Sequence, residues 1–183
     1  MAKFPQNDFK ITWRPFQLNP DASKEPVSKL QLYKDKFGAA RVEQMMPQMM
    51  QTFDKIGVKY SVGGNTGNTL TSHRLLQWAG TVGLDKQDKL MEELFKNYFA
   101  EEKFLGDRDV LLAAVDKAGL DVAEGTKIID DESLWRSEVD QDKKKFTRGI
   151  SGVPYFIFNG QFGISGGQSP EVFEEAIDEV FRG

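Results

Sequence analysis

Three hydrophobic patterns follow one another along the chain. Residues 9–13 alternate apolar and polar side chains, which predicts a short strand. From about residue 30 to residue 149 the apolar residues recur at three- and four-residue spacing, which predicts helices almost throughout. Residues 155–164 form two apolar runs around Asn159-Gly160, the preferred dipeptide of a tight hairpin. The pattern therefore predicts an α/β chain with a helical block between its only sheet-forming segments.

Start and stop signals divide this helical block into separate helices. The expected helices lie near residues 42–56, 70–82, 86–100, 107–118 and 132–147. Asp85 and Asp107 are expected to be N-caps, and Pro47 to kink or divide the first helix. Methionines follow one face of that helix. A core seam of flexible side chains is the favoured interpretation, and an adaptable peptide groove is the alternative.

The C-terminal segment carries the most specific motif. Gly152-Val153-Pro154 leads into the first apolar run of the hairpin. Ser169-Pro170 then opens a helix, with serine as the N-cap and proline at the first helical position. A proline loop, a hairpin and a helix in this order resemble the C-terminal half of a thioredoxin fold, in which the proline is cis and its loop faces a reactive cysteine pair.

Composition limits the chemistry of the chain. Its 183 residues are 39% hydrophobic, enough for one domain with a buried core. The net charge of −4 argues against a nucleic-acid partner. No apolar run approaches the roughly 18 residues of a membrane span, and no apolar signal core is seen, so we expect a cytoplasmic protein without a membrane partner. The chain has no cysteine, which excludes a disulfide, a thiolate nucleophile and Cys-ligated zinc within it.

Five blocks of sequence carry a family resemblance over about residues 9–181. They are Trp13-Arg14-Pro15-Phe16-Gln17-Leu18-Asn19-Pro20, Lys36-Phe37-Gly38, Asn68-Thr69 with His73-Arg74-Leu75, Gly152-Val153-Pro154, and Ser165-Gly166-Gly167-Gln168. Together they resemble the FrnE-type branch of the DsbA-family oxidoreductases. The 2-hydroxychromene-2-carboxylate isomerases and kappa-class glutathione transferases share the architecture as more distant relatives.

The resemblance implies an α/β, thioredoxin-like fold and thiol-disulfide exchange on protein or peptide thiol substrates, without a cofactor or metal. It divides the single domain 1–183 into a thioredoxin-fold part, residues 9–29 and 150–183, and an all-helical insertion, residues 30–149. In the family the nucleophile lies in a Cys-x-x-Cys motif after the first strand, where the helix dipole lowers its pKa. Residues 9–13 align with the family's second strand. We therefore expect an N-terminally truncated chain that lacks the first strand, the cysteine pair and most of the first helix.

A missing first strand has a structural consequence, because that strand is central in the fold. Its neighbours would keep unpaired backbone groups, each costing roughly 1–3 kcal/mol when buried. Residues 9–13 would then pair directly with residues 155–158, pair elsewhere or stay unpaired. We expect a shortened isoform, an alternative start or an incomplete gene model.

The resemblance places substrate binding at the proline loop. Val153 would offer its backbone N–H and C=O to an extended peptide, Gly152 would permit close approach, and Pro154 would be cis. The accessory candidates are His73, Arg14 and Gln168. Each has a structural alternative, namely a hydrogen-bonded, partly buried imidazole, a salt bridge, and local backbone hydrogen bonding, respectively. A clamp on a substrate carboxylate, formed with Arg74, is the functional role considered for Arg14.

Hypotheses from different classes follow, and whether this chain is itself an enzyme is left open, as is its oligomeric state. The first is a DsbA-family protein that performs no dithiol exchange because its nucleophile is absent. The second is a non-catalytic module that binds peptides or proteins at the proline loop. A glutathione-dependent isomerase or transferase is a weaker third, because its thiol-activating residue would come from the same missing segment.

Overall fold

The structure, a computed structural model, describes residue 4 and residues 8–182. The elements, in chain order, are β1 (Val27–Ser28), α1 (Lys29–Phe37), α2 (Ala39–Asp54), β2 (Asn65–Thr66), α3 (Leu70–Val82), α4 (Leu84–Phe99), α5 (Arg108–Lys117), α6 (Val122–Asp130), α7 (Arg136–Phe146), β3 (Tyr155–Phe158), β4 (Phe162–Ser165) and α8 (Pro170–Arg182). In this described part the strands form two separate antiparallel pairs, β1–β2 and β3–β4. The predicted order of helical block, hairpin and helix is confirmed.

The hydrophobic core lies among α3, α4, α5 and α6. Its buried side chains are Leu75, Trp78, Ala79, Leu90, Leu94, Leu111, Ala114, Val115, Ala118, Leu120 and Ile128. Asp107 starts α5 as predicted, since its Oδ1 accepts the backbone N–H groups of Asp109 and Val110. Asp85 is not the N-cap of α4, because the chain turns into the helix at Gly83 and places Asp85 inside the first turn. α6 was not among the expected helices; it contains Gly125 and Thr126, both weak helix formers.

The predicted strand at residues 9–13 is wrong. These residues adopt no regular structure, and β3 pairs only with β4 among the described residues. No strand of the described residues lies beside them. At Trp13 the backbone N–H and C=O instead both bind the side-chain amide of Gln87 in α4. Of the alternatives considered for residues 9–13, the structure shows the one in which they pair with no strand of the described residues.

The methionine face of α2 is buried only in part. Val42 is buried and Met45, Met46 and Met49 are half-buried, whereas Met50 is 51% exposed. Phe53 makes ring contacts with Tyr60 and Phe99. The core-seam interpretation therefore holds only for part of the face, because α2 packs mainly on α1 and leaves Met50 to solvent. Pro47 lies inside α2 without dividing it.

The β3–β4 hairpin and α8 form the C-terminal layer. Asn159 and Gly160 take the predicted positive φ angles of 48° and 72°, and the Gln161 N–H closes the turn onto the Phe158 carbonyl at 3.0 Å. α8 covers one face of the hairpin, where the Phe173 ring lies 4.8 Å from that of Phe156 in an edge-on contact. The other face of the hairpin has no such cover from α8. No helix in the described part of the chain is long and apolar enough to cross a membrane.

Candidate functional site

The proline loop precedes β3 at the surface. The peptide bond between Val153 and Pro154 is cis, and Val153 is 44% exposed. The Pro154 carbonyl accepts the Gly166 N–H at 2.8 Å, which ties the loop to the end of β4. Among the described residues, the backbone N–H and C=O of Val153 make no hydrogen bond. Gly152, which precedes them, is half-buried, and a Cβ there would meet open space. The loop therefore presents one residue with an unused backbone donor and acceptor.

Gln168 lies close to this loop but makes a local bond. Its Nε2 donates to the Ser165 carbonyl at 2.9 Å, three residues earlier in the chain. The bond holds the turn between β4 and α8. This is the structural alternative considered for Gln168.

Arg14 lies apart from the proline loop, on a segment that we call the strap (residues 12–17). Its Nη1 donates to Asp142 Oδ2 at 2.7 Å, and its Cζ lies 4.3 Å from the centre of the Phe146 ring. Asp142 also accepts a hydrogen bond from Gln77 Nε2 at 3.1 Å. The guanidinium thus joins the strap to α7 through a salt bridge, and the carboxylate links both to α3.

His73 lies beside the same strap. Its Nδ1 is 2.6 Å from the Thr69 carbonyl oxygen one turn earlier in α3, and the Phe16 backbone in the strap provides a second hydrogen bond. Burial lowers the pKa of His73 below its usual range, and the charge of Lys143 acts in the same direction, whereas the two backbone bonds oppose the change. The imidazole is therefore buried between the start of α3 and the strap, in the role of the hydrogen-bonded, partly buried histidine.

The predicted residues form two groups. Arg14 and His73 line a cavity of about 40 Å³ under the strap, and a second cavity of about 240 Å³ lies between Arg14 and the corner of α3 and α4. The residues of the other group, at the hairpin, are Gly152, Val153, Pro154 and Gln168. No hydrogen bond, ion pair or ring contact between described residues joins the two groups.

Gln87 is a positioning residue that the sequence interpretation missed. It accepts the Trp13 N–H at 3.0 Å and donates to the carbonyls of Trp13 and Leu76 at 3.1 and 3.0 Å, which uses its whole amide. The Trp13 indole N–H adds a bond of 2.8 Å to Asp88. The sequence contained one signal for this role, because Gln87 is a polar residue three positions before Leu90 on the expected buried face of α4. In the structure its side chain is only 2% exposed.

Arg74 does not clamp a substrate. Its buried guanidinium donates through Nη1 to the carbonyls of Ile128, Asp131 and Leu134, at and after the end of α6. Burial lowers the pKa of Arg74, against the opposing charges of Glu132 and Asp131. The side chain caps a helix C-terminus through Nη1, while its buried Nε makes no hydrogen bond to a described residue.

A buried lysine forms a similar contact elsewhere in the fold. Lys29 Nζ donates to the carbonyls of Ser61 and Tyr98 at 3.0 and 2.8 Å, and lies 4.5 Å from the centre of the Tyr98 ring. Burial lowers the pKa of Lys29, and the charge of Glu102 opposes this. Burial also raises the pKa of Tyr33, aided by the neighbouring Tyr98. Since Lys29 is 1% exposed, we assign the cluster to packing and not to chemistry.

Metal chemistry has no visible support in the described residues, where no group of three or more histidine, aspartate or glutamate side chains could hold an ion. The absence of cysteine from the sequence removes the one side chain that disulfide exchange requires. What the site offers is backbone hydrogen bonding at the loop and apolar surface around it.

Comparison with known proteins gives the family. The model of the DSBA-like thioredoxin domain matches residues 2–178, and the chain belongs to this family. The crystal structure of the probable DsbA oxidoreductase SCO1869 from Streptomyces coelicolor superposes with a TM-score of 0.84 at 26% identity, over 92% of this chain and 74% of that one. The uncharacterized protein YwbO of Bacillus subtilis (strain 168) is 22% identical over 175 residues, 94% of this chain and 82% of YwbO. The predicted DsbA-family membership and thioredoxin-like fold are confirmed.

Proposed function

We propose that this chain is a FrnE-like member of the DsbA-like family that binds extended peptides at its proline loop without carrying out dithiol-disulfide exchange. The observation that supports this most directly is the exposed Val153, whose backbone N–H and C=O are unused beside Pro154. An extended peptide binds to such groups by main-chain hydrogen bonds, and neighbouring side chains then select among peptides.

The lack of exchange follows from the chemistry of the reaction. A disulfide is opened by a thiolate that attacks one sulfur and forms a mixed disulfide, so a protein without cysteine has no group that can form the intermediate. His73 cannot replace it, because its imidazole holds the Thr69 carbonyl and the strap. Thiol-bearing peptides would therefore be bound and released unchanged.

Reduction of insulin by dithiothreitol tests the proposed lack of dithiol-disulfide exchange. We expect the protein to leave the rate at that of the protein-free reaction, while a cysteine-containing DsbA-family protein accelerates it. Acceleration by this chain above the blank would contradict the proposal.

Two further measurements address the cellular form of the protein. Cell fractionation would test the expected cytoplasmic location. The intact mass of the protein from its own cells would show whether a Cys-x-x-Cys segment precedes these residues.

Binding of insulin B chain with its thiols alkylated tests the proposed peptide binding at the proline loop. Val153→Pro removes the loop N–H and is expected to weaken binding at least fivefold, whereas Val153→Thr keeps both backbone groups and should bind like the unsubstituted protein. Circular dichroism of both variants checks that the fold is retained. Equal binding by a folded Val153→Pro variant would contradict a peptide site at this loop.

A further inference from the structure

The larger of the two cavities beside the strap is polar. It measures about 240 Å³ and lies where Thr12 and Arg14 of the strap pass the corner between α3 and α4. Pockets for drug-sized ligands measure roughly 300–1,000 Å³, so this cavity suits a smaller molecule. No residue of the proline loop lines it. A ligand bound here would therefore be separate from the proposed peptide site.

Arg14 is the one charged residue among the described residues that line this cavity. Its Nη1 donates to Asp142 Oδ2 at 2.7 Å, and its Cζ lies 4.3 Å from the centre of the Phe146 ring. The other N–H groups of the guanidinium make no hydrogen bond to a described residue, and the side chain is 42% exposed. The salt bridge and the ring thus hold a cation in place while donors remain for an anion, which lowers the cost of ordering it on binding.

Gln77 supplies a hydrogen-bond acceptor on the wall formed by α3. Its Nε2 donates to Asp142 Oδ2 at 3.1 Å, and this orientation of the amide is fixed because a carboxylate can only accept. Gln77 Oε1 makes no hydrogen bond to a described residue. The amide oxygen is therefore available to a donor group on a ligand.

The threonines of the cavity add further oxygens. Thr81 Oγ1 donates its proton to the Trp78 carbonyl at 2.7 Å, so the hydroxyl can act towards a ligand only as an acceptor. The Thr12 hydroxyl makes no hydrogen bond to a described residue. Gln87, by contrast, uses its whole amide within the fold. The groups left for a ligand are thus one cation and several oxygens that accept.

The charge of the cavity favours a carboxylate over a phosphate. A carboxylate matches the planar fork of a single guanidinium, whereas a doubly charged phosphate needs more positive charge than Arg14 supplies. The carboxylate of Asp142 already neutralises part of that charge at 2.7 Å. Leu84 is the one apolar side chain among the described residues that line the cavity, which limits the apolar part of a ligand to a short chain.

We propose that this cavity binds a small carboxylic acid with a hydroxyl or ammonium group on the carbon next to the carboxylate. The carboxylate would bind the unused N–H groups of Arg14. The hydroxyl or ammonium group would donate to Gln77 Oε1 and Thr81 Oγ1. Hydroxy acids and amino acids share this chemistry, and the inference does not depend on peptide binding at the proline loop.

Five small molecules test the ligand chemistry by NMR titration of the backbone amides. Lactate and alanine carry both groups, propionate lacks the donor, alaninamide lacks the carboxylate, and inorganic phosphate is the competing anion. We expect lactate, alanine or both to bind at least fivefold more tightly than the other three, and the preference between the two identifies the source. Equal or tighter binding of propionate, alaninamide or phosphate would overturn the inference, as would no binding of lactate and alanine.

The same titrations locate the site. The amide signals of Thr12, Gly80 and Thr81, which lie around the cavity, are expected to shift with one common saturation curve. Those of Val153 and Gly166 at the proline loop should stay unchanged. Saturable shifts that leave the cavity residues unaffected would place the ligand elsewhere and overturn the inference.

Arginine variants test the guanidinium. Arg14→Lys keeps a positive charge beside Asp142 but loses the planar fork, and we expect it to weaken binding of the preferred ligand at least fivefold. Arg136→Lys is the matched control, because Arg136 also pairs with an aspartate, Asp140, at 3.0 Å and lines neither cavity. Equal loss in the two variants would assign binding to general surface charge and overturn the inference.

Thr81→Val tests the acceptor without touching the strap. Valine has nearly the shape of threonine, and Thr81 is exposed near the end of α3, so the fold is retained. We expect the preferred ligand to bind at least threefold more weakly, whereas propionate, which has no donor for Oγ1, should bind as before. This difference is one that a loss of structure would not produce. If Thr81→Val and Arg14→Lys both bind like the unsubstituted protein, the inference is wrong.

Discussion

Buried cations in this protein are held by carbonyl oxygens at helix ends. Arg74 donates to three carbonyls at and after the end of α6, and Lys29 donates to the Tyr98 carbonyl near the end of α4. The last carbonyls of a helix lack intrahelical partners and carry the negative end of the helix dipole, so they suit a positive side chain. A basic residue on a buried helix face can therefore be structural when carbonyl oxygens, and not a carboxylate, accept its hydrogen bonds.

Replacement of Arg74 by methionine should destabilise the fold strongly. The change leaves the carbonyls of Ile128, Asp131 and Leu134 without their shared donor, and we expect the free energy of unfolding to fall by about 3 kcal/mol. Urea denaturation measures the difference. Arg136→Met is the matched control, because Arg136 is exposed and forms a surface salt bridge with Asp140; its expected cost is below about 0.5 kcal/mol. Similar costs for the two variants would contradict the capping role.

His73 should lower the stability of the protein as the pH falls through the ordinary histidine pKa of about 6.5. Its pKa in the folded state is lowered, mainly by burial, so the unfolded chain takes up a proton first as the pH falls below about 6.5. The contribution to stability is thus fully present about one pH unit above that value and declines as the pH falls through it, by at most about 1.4 kcal/mol per pH unit. Urea denaturation of the protein and of His73→Gln at pH 7.5 and 5.5 checks this. An unchanged pH dependence in the variant would assign it to other groups.

At the level of elements, local sequence signals predicted what local interactions determine. Helix α3 spans the predicted residues 70–82, Asp107 caps α5, and Asn159-Gly160 forms the turn of the hairpin, because each depends on neighbours within a few positions. Residues 9–13 did not follow their alternating pattern. The backbone of Trp13, which also begins the strap's contacts, is bound by Gln87, 74 residues later in the chain, and no local signal reports such a partner.

The strap should loosen when the Gln87 amide is removed. Gln87→Met keeps the length of the side chain but loses the acceptor for the Trp13 N–H and the donor to its carbonyl. We expect the amide hydrogen of Trp13 to exchange at least tenfold faster, measured by hydrogen exchange with NMR detection. Gln141→Met removes an exposed side-chain contact with Ser137 and serves as the control. Unchanged protection of Trp13 in Gln87→Met would mean that the Asp88 and Phe95 contacts hold the strap.

For the whole molecule, burial is distributed unevenly between the helical block and the C-terminal layer. The main core lies within α3 to α6, whereas the hairpin and α8 contribute Ile164 and Ala176 to the buried apolar residues. The proline loop belongs to this thinner layer. Family resemblance located that loop from sequence, but the register in which β3 pairs with β4 became visible only in the structure.

This distribution predicts two levels of stability within one chain. Exchange of an amide hydrogen through local opening requires less free energy where fewer apolar contacts must break. We therefore expect the amides of α3, α4 and α5 to exchange only through global unfolding, and those of β3, β4 and α8 to exchange at least a hundredfold faster. Hydrogen exchange with mass spectrometry at several urea concentrations measures both. Uniform exchange across the chain would instead show that the hairpin layer unfolds only together with the helical core.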